Sequence, residues 1–179
     1  METDIVYKLL TIEDLTNDVL LNFQRYQETN FVWFKEDDQY KVKEDYFVDY
    51  WDGEKKAQVV QSLCQCILNG GFVIGSFIGK QLIGFANVEG EFFGKNREYL
   101  ELSYLHVSNE HRKFGVGRKL FEKCSIEAKK KGAKKLYIAA HPSVETQAFY
   151  QKVGCTYAVE INQEILEKEP LDIQMEFEL

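Results

Sequence analysis

The spacing of apolar residues along the chain predicts an alternation of short strands and amphipathic helices. Residues 4–10 are typical of a short strand, whereas Leu15, Val19, Leu20 and Phe23 recur at helical spacing and predict a helix over residues 13–26. A second helix is expected over residues 53–69, because glycines at positions 70 and 71 follow its last apolar residue.

The segment between these two helices carries aromatic residues among charged ones. Residues 31–51 contain eight aromatics, which are too many for a disordered linker and too irregularly spaced to assign to one element. We expect this segment to be structured and to form partly helical connections.

The second half of the chain predicts strands and two further helices. Residues 72–78 and 82–88 are two β-rich runs that meet at Gly79 and Lys80, which predicts a hairpin. The expected elements that follow are a strand over 98–107, a helix over 115–131, a strand over 135–139, a helix over 144–152, and strands over 156–161 and 172–179. The order β-α-α-β-β-β-α-β-α-β-β implies an α/β fold, in which helices cover both faces of a mixed sheet.

Length and composition limit the class of protein. The 179 residues, 45% of them apolar, are enough for one globular core, and we expect a single domain over residues 1–179. The four cysteines lack C-x-x-C spacing, and the acidic N-terminus does not resemble an export signal. No apolar run reaches the roughly 18 residues of a membrane span. We therefore expect a soluble cytoplasmic protein with free thiols and no membrane partner.

Charge is distributed unevenly along the chain. The formal net charge is −7, which argues against general nucleic-acid binding. Residues 1–60 hold 14 acidic and 7 basic residues, whereas residues 110–135 hold 10 lysines or arginines and 3 glutamates. This concentrated positive charge suits a small polyanion better than a long nucleic acid.

Two glycines lie inside the basic segment, in the stretch EHRKFGVGRKLFEK of residues 110–123. A strand that feeds a helix N-terminus presents free backbone N–H groups to an anion, and glycines allow a close approach. The Walker pattern G-x-x-x-x-G-K-[ST] is absent, and the pattern G-x-G-x-x-G fails because Leu120 occupies the third glycine position. What remains is R-x-x-G-x-G at residues 112–117, preceded by L-x-V at residues 105–107.

This motif resembles that of the GCN5-related N-acetyltransferase (GNAT) superfamily. The stretch AFYQKVGC, residues 148–155, is similar to a later motif of that superfamily, and GSFIGKQLIGFANVEG, residues 75–90, resembles its hairpin. The resemblance implies the acyl-CoA N-acyltransferase fold: a central, mostly antiparallel mixed sheet of about seven strands, splayed between strands 4 and 5. It also implies transfer of an acetyl group from acetyl-CoA, without a metal, by direct attack of a primary amine.

The resemblance further implies which residues hold acetyl-CoA. The pyrophosphate is expected on the turn formed by Arg112, Lys113, Phe114, Gly115, Val116, Gly117 and Arg118. The pantetheine arm is expected to run beside Leu105, His106 and Val107, with the Leu105 N–H directed at the acetyl oxygen. Ser143 replaces an asparagine that often contacts the pantetheine in this superfamily; a serine can still donate one hydrogen bond and cap the following helix.

Two residues are expected to move protons. Tyr150 lies four residues before Gly154, where the superfamily often has a tyrosine near the sulfur, and is our candidate for the general acid. Glu101 lies four residues before Leu105, where histone-acetylating members carry a catalytic glutamate, and is our candidate for the general base. Glu98, His106, Tyr104 or a chain of waters remain alternatives for the base.

The acceptor site is less defined by the sequence. The three histidines are too scattered to suggest a metal site. By resemblance, the acceptor is expected among residues 24–51, residues 91–97 and the loop over 163–171, which are acidic and aromatic and would attract a small cationic amine. A protein N-terminus or lysine as acceptor, and a CoA sensor without turnover, remain alternatives. The sequence leaves open whether the protein is a monomer or a homodimer.

Overall fold

The computed structural model describes residues 4–179. The first elements are β1 (Ile5–Leu9), β2 (Tyr26–Glu36), β3 (Gln39–Tyr50), α1 (Gly53–Leu68), β4 (Phe72–Ile78), β5 (Gln81–Val88) and β6 (Tyr99–Val107). After a short 3-10 turn (Asn109–His111) come α2 (Val116–Lys130), β7 (Lys135–Ala140), α3 (Val144–Val153), β8 (Thr156–Tyr157), α4 (Gln163–Lys168) and β9 (Ile173–Glu178). In this part of the chain no helix is both long and apolar enough to cross a membrane.

Seven strands form one sheet in the order β1-β4-β5-β6-β7-β9-β8, while β2 and β3 form a separate hairpin. Every pairing in the large sheet is antiparallel except that of β6 with β7. The expected fold class, a mostly antiparallel mixed sheet of seven strands with helices, is confirmed.

Two apolar cores lie on opposite faces of this sheet. Successive residues of β4 take part in different cores, because side chains alternate across a strand: Val73 packs with α1 and Ile74 with α2 and α3. Helix α1 thus covers one face, and α2 and α3 cover the other. Burial of these side chains is the main source of stability, at roughly 25 cal/mol per Å² of apolar surface.

The expected helix over residues 13–26 is absent. Residues 11–23 instead form consecutive turns with N–H to C=O bonds three residues apart, such as Asp14 to Thr11 and Phe23 to Leu20. The Asp14 carboxylate accepts hydrogen bonds from the N–H and hydroxyl of Thr11, and such local bonds compete with a helix. Leu15, Leu20 and Phe23 are nevertheless buried, so their apolar spacing predicted burial correctly and the helix incorrectly.

Residues 31–51 are structured, as expected, but the expected helical connections are wrong. All of them except Trp51 belong to the hairpin β2–β3, in which aromatic and β-branched residues favour extended backbone. Asp37 and Asp38 have φ of 50° and 60° and form its two-residue turn.

Two other expectations require correction near the C-terminus. The strand expected over 156–161 ends at Tyr157, and the loop expected over 163–171 contains helix α4, whose N-terminus is capped by Asn162. The remaining expected helices and strands match within two residues, and the hairpin of β4 and β5 is confirmed.

Candidate active site

The sheet opens where β6 and β7 part. Their parallel pairing covers only three positions, Tyr99–Glu101 against 135–137, whereas β6 remains paired with β5 as far as Val107. The second half of β6 therefore has a free edge that faces a wedge-shaped gap. This is the expected splay between the fourth and fifth predicted strands.

A β-bulge in β6 turns the strand at the start of the gap. Val88 pairs with Leu102 and Asn87 with Tyr104, so Ser103 has no partner in β5. The buried Asn87 side chain holds this bulge: its Oδ1 accepts from the Tyr104 N–H at 2.9 Å, and its Nδ2 donates to Ser103 Oγ at 2.8 Å. Sequence reasoning did not single out Asn87, although asparagine inside an apolar strand is a visible signal.

The bulge and the pairing register determine where backbone groups of β6 point. Ser108 donates its N–H to Ile83 O, and backbone directions alternate along an antiparallel strand. The N–H groups of Leu105 and Val107 therefore face the gap and not β5. The Val107 carbonyl accepts a hydrogen bond from Arg112 Nε at 3.1 Å, which agrees with this direction.

The glycine turn presents an uncapped helix N-terminus beside the gap. Gly115 is the N-cap of α2 with φ of 79°, no side chain caps the helix, and its first turn carries no acidic residue. Lys113 also has a positive φ, of 69°. A Cβ on Gly117 would lie 3.6 Å from Leu105, so the turn and the free strand edge are neighbours. These features fit a phosphate anion.

The side chains around the glycine turn differ in their exposure to solvent and in the face of the sheet on which they lie. Arg112 is half-buried, whereas Lys113, Phe114 and Arg118 are exposed, with the Phe114 side chain 75% exposed. His106 does not face the turn, because its ring packs against Trp51 at 4.7 Å on the α1 face of the sheet. Burial and the nearby arginines lower the pKa of His106 well below its ordinary value, which keeps the ring neutral.

Tyr150 lies on α3 with only 6% of its surface exposed, between Phe149 and Phe121. Burial raises the pKa of its hydroxyl, and the neighbouring Cys155 and Asp172 act in the same direction. No hydrogen bond contributes to this pKa shift. The hydroxyl therefore keeps its proton, as a general acid must before it donates.

Ser143 is the N-cap of α3, as expected from the sequence. Its Oγ accepts from the Thr146 N–H at 3.2 Å, donates to Thr146 Oγ1 at 2.8 Å and accepts from Gln27 Nε2 at 3.2 Å. The side chain is 1% exposed. Ser143 therefore joins α3 to the hairpin, and these contacts occupy its hydroxyl.

A large open cavity of about 1310 Å³ lies on the α1 face, between α1, the first part of β6 and α4. Two of the three segments expected to form the acceptor site, 91–97 and 163–171, contribute to its wall. Seven carboxylates and two lysines line it, together with several aromatic rings. The carboxylates are Glu89, Glu91, Glu101, Glu160, Glu164, Glu169 and Asp172; the lysines are Lys95 and Lys168; the aromatics are Phe93, Tyr99, Tyr104 and Tyr137.

Two of these carboxyl groups have strongly raised pKa values. Burial, with the nearby Glu89, raises the pKa of Glu101 to about 7 against an opposing effect of Lys168. Burial, with Glu169 and Asp49, raises the pKa of Asp172 to about 7. Sequence reasoning pointed to Glu101 and missed Asp172, which is distant in sequence from every motif.

Glu98 and Tyr104, two of the alternatives for the general base, make different contacts from those of Glu101. Glu98 lies 3.9 Å from the ammonium of Lys135, and Tyr104 lines the cavity while its N–H bonds to Asn87. Across residues 4–179 no group of three or more His, Cys, Asp or Glu side chains could hold a metal ion.

The third segment expected at the acceptor site, residues 24–51, does not line the cavity. Its hairpin packs instead on the end of β7 and the start of α3: Trp33 N–H donates to Pro142 O at 2.8 Å, and Asp49 lies 3.2 Å from His141. The acidic and aromatic composition of this segment therefore reflects a half-exposed hairpin, and the acidic wall comes from other parts of the chain.

Comparisons with known proteins agree with this geometry. Residues 21–155 match the model of the acetyltransferase (GNAT) family. The fold is similar to that of nourseothricin acetyltransferase, with 15% identity over 97% of this chain and 98% of the other and a TM-score of 0.69. It is also similar to PaiA N-acetyltransferase from Thermoplasma acidophilum in complex with coenzyme A, with 17% identity over 98% and 99% of the two chains and a TM-score of 0.61.

A third similar structure is aminoglycoside 6'-N-acetyltransferase complexed with coenzyme A, with 16% identity over 70% of this chain and 80% of the other and a TM-score of 0.54. No curated protein matches the chain.

Proposed function

The chain belongs to the GNAT acetyltransferase family and is an N-acetyltransferase that uses acetyl-CoA as donor; we propose that its acceptor is a small molecule with a cationic primary amine. The observation that carries this proposal is the acidic cavity beside the gap between β6 and β7. We further propose that residues 1–179 act as a single domain.

The cavity supports a cationic acceptor for electrostatic reasons. Seven carboxylates face two lysines in one concave surface, and such a surface raises the local concentration of cations. Aromatic rings in the same wall offer faces on which an ammonium group can rest, at about 0.5–2 kcal/mol each. An anionic acceptor would be repelled by the same wall.

We propose that the glycine turn and the free edge of β6 hold the donor. Acetyl-CoA supplies an activated acetyl thioester. The amides at the start of α2, with Arg112, Lys113 and Arg118, would bind its pyrophosphate, while backbone groups of Leu105 and Val107 would pair with the pantetheine. The Leu105 N–H would stabilise charge on the acetyl oxygen, and a donor of this kind contributes about 3 kcal/mol.

Proton transfer completes the proposed mechanism. Tyr150 would donate its proton to the departing sulfur, and its raised pKa supports a protonated hydroxyl. Glu101 is a candidate general base, since it lines the cavity and its pKa lies near neutrality. It sits at the narrow end of the gap, so a bridging water would carry the proton to it.

A panel of acceptors with acetyl-CoA, followed by mass spectrometry, tests the proposed acceptor class. We expect acetylation of cationic amines such as spermidine, kanamycin or lysine methyl ester, and no acetylation of glutamate, whose amine is accompanied by two carboxylates and whose net charge is negative. KM for the amine should rise with salt, since the attraction is electrostatic. Preference for a peptide N-terminus or a peptide lysine over every small amine would contradict a small-molecule acceptor.

A further inference from the structure

We infer that the carboxylate of Asp172 is the group that accepts the proton from the acceptor's ammonium at the point of transfer. This role rests on the proposed function, because only a protonated amine needs such a base. It takes the place of Glu101 as the candidate base beside the candidate acid Tyr150, and it leaves Glu101 to bind the acceptor in the cavity.

The register of the sheet places Asp172 on the open side of the gap, past the paired part of β6 and β7. Ile173 pairs with Ala140, so Asp172 lies beside His141. His141 is four residues past Tyr137, the last β7 residue paired with β6, which is about 13 Å along the strand. Leu105 also lies past Glu101 on β6, with the bulge at Ser103 between them. Asp172 and the Leu105 N–H therefore both lie beyond the last β6–β7 pair, whereas Glu101 lies at the closed end of the gap.

Asp172 connects the cavity to the candidate acid. Gln174 and Glu176, two and four residues later on β9, hydrogen-bond Tyr137 and Tyr99 in the cavity wall, and Asp172 lines the same cavity. Among the carboxylates of this cavity, Asp172 is the one whose charge acts on the Tyr150 hydroxyl on the other face. An amine beside Asp172 therefore approaches the gap from the side opposite Tyr150.

Within residues 4–179 no salt bridge is formed by Asp172, although Lys168 lines the same cavity. The charged and titratable groups around it are Glu169 before β9, Lys168 on α4, Tyr150 on α3 and Asp49 on the hairpin, which also contacts His141. Burial and the charges of Glu169 and Asp49 all disfavour its ionised form and raise its pKa. By contrast, Glu176 on the same strand is paired with Tyr99 and Lys135. A half-buried carboxylate that is surrounded by other acidic groups costs free energy in its ionised form, unless a bound ligand supplies a positive charge beside it.

The proposed proton path is balanced. The ammonium gives one proton to the Asp172 carboxylate, which passes it to water, and the nitrogen lone pair forms the new C–N bond. The C–S bond breaks as the Tyr150 hydroxyl gives its proton to the sulfur. The second nitrogen proton leaves as the amide forms and restores the Tyr150 hydroxyl. One proton is released in total.

The first test observes Asp172 directly, without turnover. Protein labelled with ¹³C at the aspartate carboxyl is titrated by NMR, and Asp172→Glu identifies the resonance. We expect a pKa near 7 in the free protein and a lower value when spermidine is added, since a nearby cation favours the carboxylate. A titration at the ordinary value of about 4, with or without spermidine, overturns the role.

The second test uses kinetics with whichever amine of the panel is acetylated fastest. We expect Asp172→Asn to lower kcat/KM for the amine about 100–1000-fold at pH 7, to recover as pH approaches the pKa of the amine, and to keep the Kd for acetyl-CoA within about twofold. Asp172→Glu should restore part of the rate, and Glu178→Gln at the other end of β9 should have no effect.

These outcomes separate the two proposals. Which amine is acetylated fastest tests the acceptor class, and the pH dependence of the Asp172 variants tests the base. A wild-type pH profile in Asp172→Asn overturns the inference, and so does an equal loss of rate at every pH, because a structural role predicts that pattern. If Glu101→Gln alone removes the acidic limb, Glu101 is the base and Asp172 is not.

Discussion

The Oδ1 atom of Asn87 accepts a hydrogen bond from the backbone N–H of Tyr104 at 2.9 Å. This contact lies at the bulge where β6 loses its regular pairing with β5. The side-chain oxygen of Asn87 accepts the hydrogen bond that a backbone carbonyl of β5 accepts in a regular ladder. Beyond it, the N–H groups of Leu105 and Val107 face the gap. A buried side chain on one strand thus sets the direction of backbone donors on its neighbour.

Replacement of Asn87 should therefore affect both stability and turnover. Asn87→Ala leaves the Tyr104 N–H without a partner and should cost about 2–3 kcal/mol, which corresponds to a melting temperature lower by about 5–10 °C. We also expect kcat to fall more than tenfold. Ser76→Ala is the control, since Ser76 is a buried polar residue of the same sheet that bonds only to Gly84 O. Equal effects of both variants on kcat would show that the bulge is not needed.

The glycine turn predicts a specific loss of donor binding. Gly115→Ala places a side chain at φ of 79°, which costs about 1–2 kcal/mol, and should weaken acetyl-CoA binding in calorimetry by about tenfold or more. Gly132→Ala at the other end of α2 meets the same strain, with φ of 98° and equally open space. It should lower the melting temperature similarly and leave the Kd unchanged. If both variants bind acetyl-CoA alike, the turn is not the anion site.

Tyr150→Phe should separate chemistry from binding. We expect kcat to fall about 100-fold or more, because the departing sulfur loses its proton donor, while the Kd for acetyl-CoA stays within about twofold. Tyr157→Phe is the matched control, because Tyr157 is 42% exposed and stacks on Tyr40 of the hairpin. Steady-state kinetics and calorimetry measure the two quantities. Unchanged turnover would remove Tyr150 as the acid.

The raised pKa values of Glu101 and Asp172 predict how stability depends on pH. Both carboxyls titrate near 7 in the folded protein and near 4 when unfolded, so the folded state binds more protons between these values. Stability should therefore fall as pH rises from about 4 through 7. The double variant Glu101→Gln, Asp172→Asn should melt a few degrees above wild type at pH 8, and the gain should shrink steadily towards pH 4. Thermal melts at several pH values measure it, and a gain independent of pH would contradict these titrations.

The charge of Asp49, on the hairpin, is expected to stabilise the folded protein because it compensates the buried charge of Arg25. Arg25 is 8% exposed, burial lowers its pKa to about 10, and Asp49 is the nearby charge that opposes this shift. Asp49→Ala removes this compensation and the contact with His141, and should cost about 1–2 kcal/mol, measured by chemical unfolding. Asp45→Ala, an exposed residue of the same hairpin, should change stability by less than about 0.5 kcal/mol. A matching loss in both variants would mean that Asp49 does not stabilise Arg25.

The misassigned elements show where local patterns stop being informative. Leu15, Leu20 and Phe23 have helical spacing and are buried, yet Thr11 and Asp14 satisfy the backbone through local turns. The aromatic segment after them has no clear period, because its hairpin is half-exposed and irregular at Asn30. Local turn hydrogen bonds decided the first segment, and pairing of two strands with packing on distant residues decided the second.

The sequence by itself determined the second half of the fold, the glycine turn and the tyrosine of α3. These depend on local chemistry: apolar periodicity, glycine at a positive φ, and residue types at fixed spacing along one strand and one helix. Only the tertiary structure brought Glu101, Asp172 and the other acidic residues into one cavity, and placed Asn87 beneath the bulge. Those residues are separated in sequence by up to 85 positions, and only strand pairing and helix packing determine which of them meet.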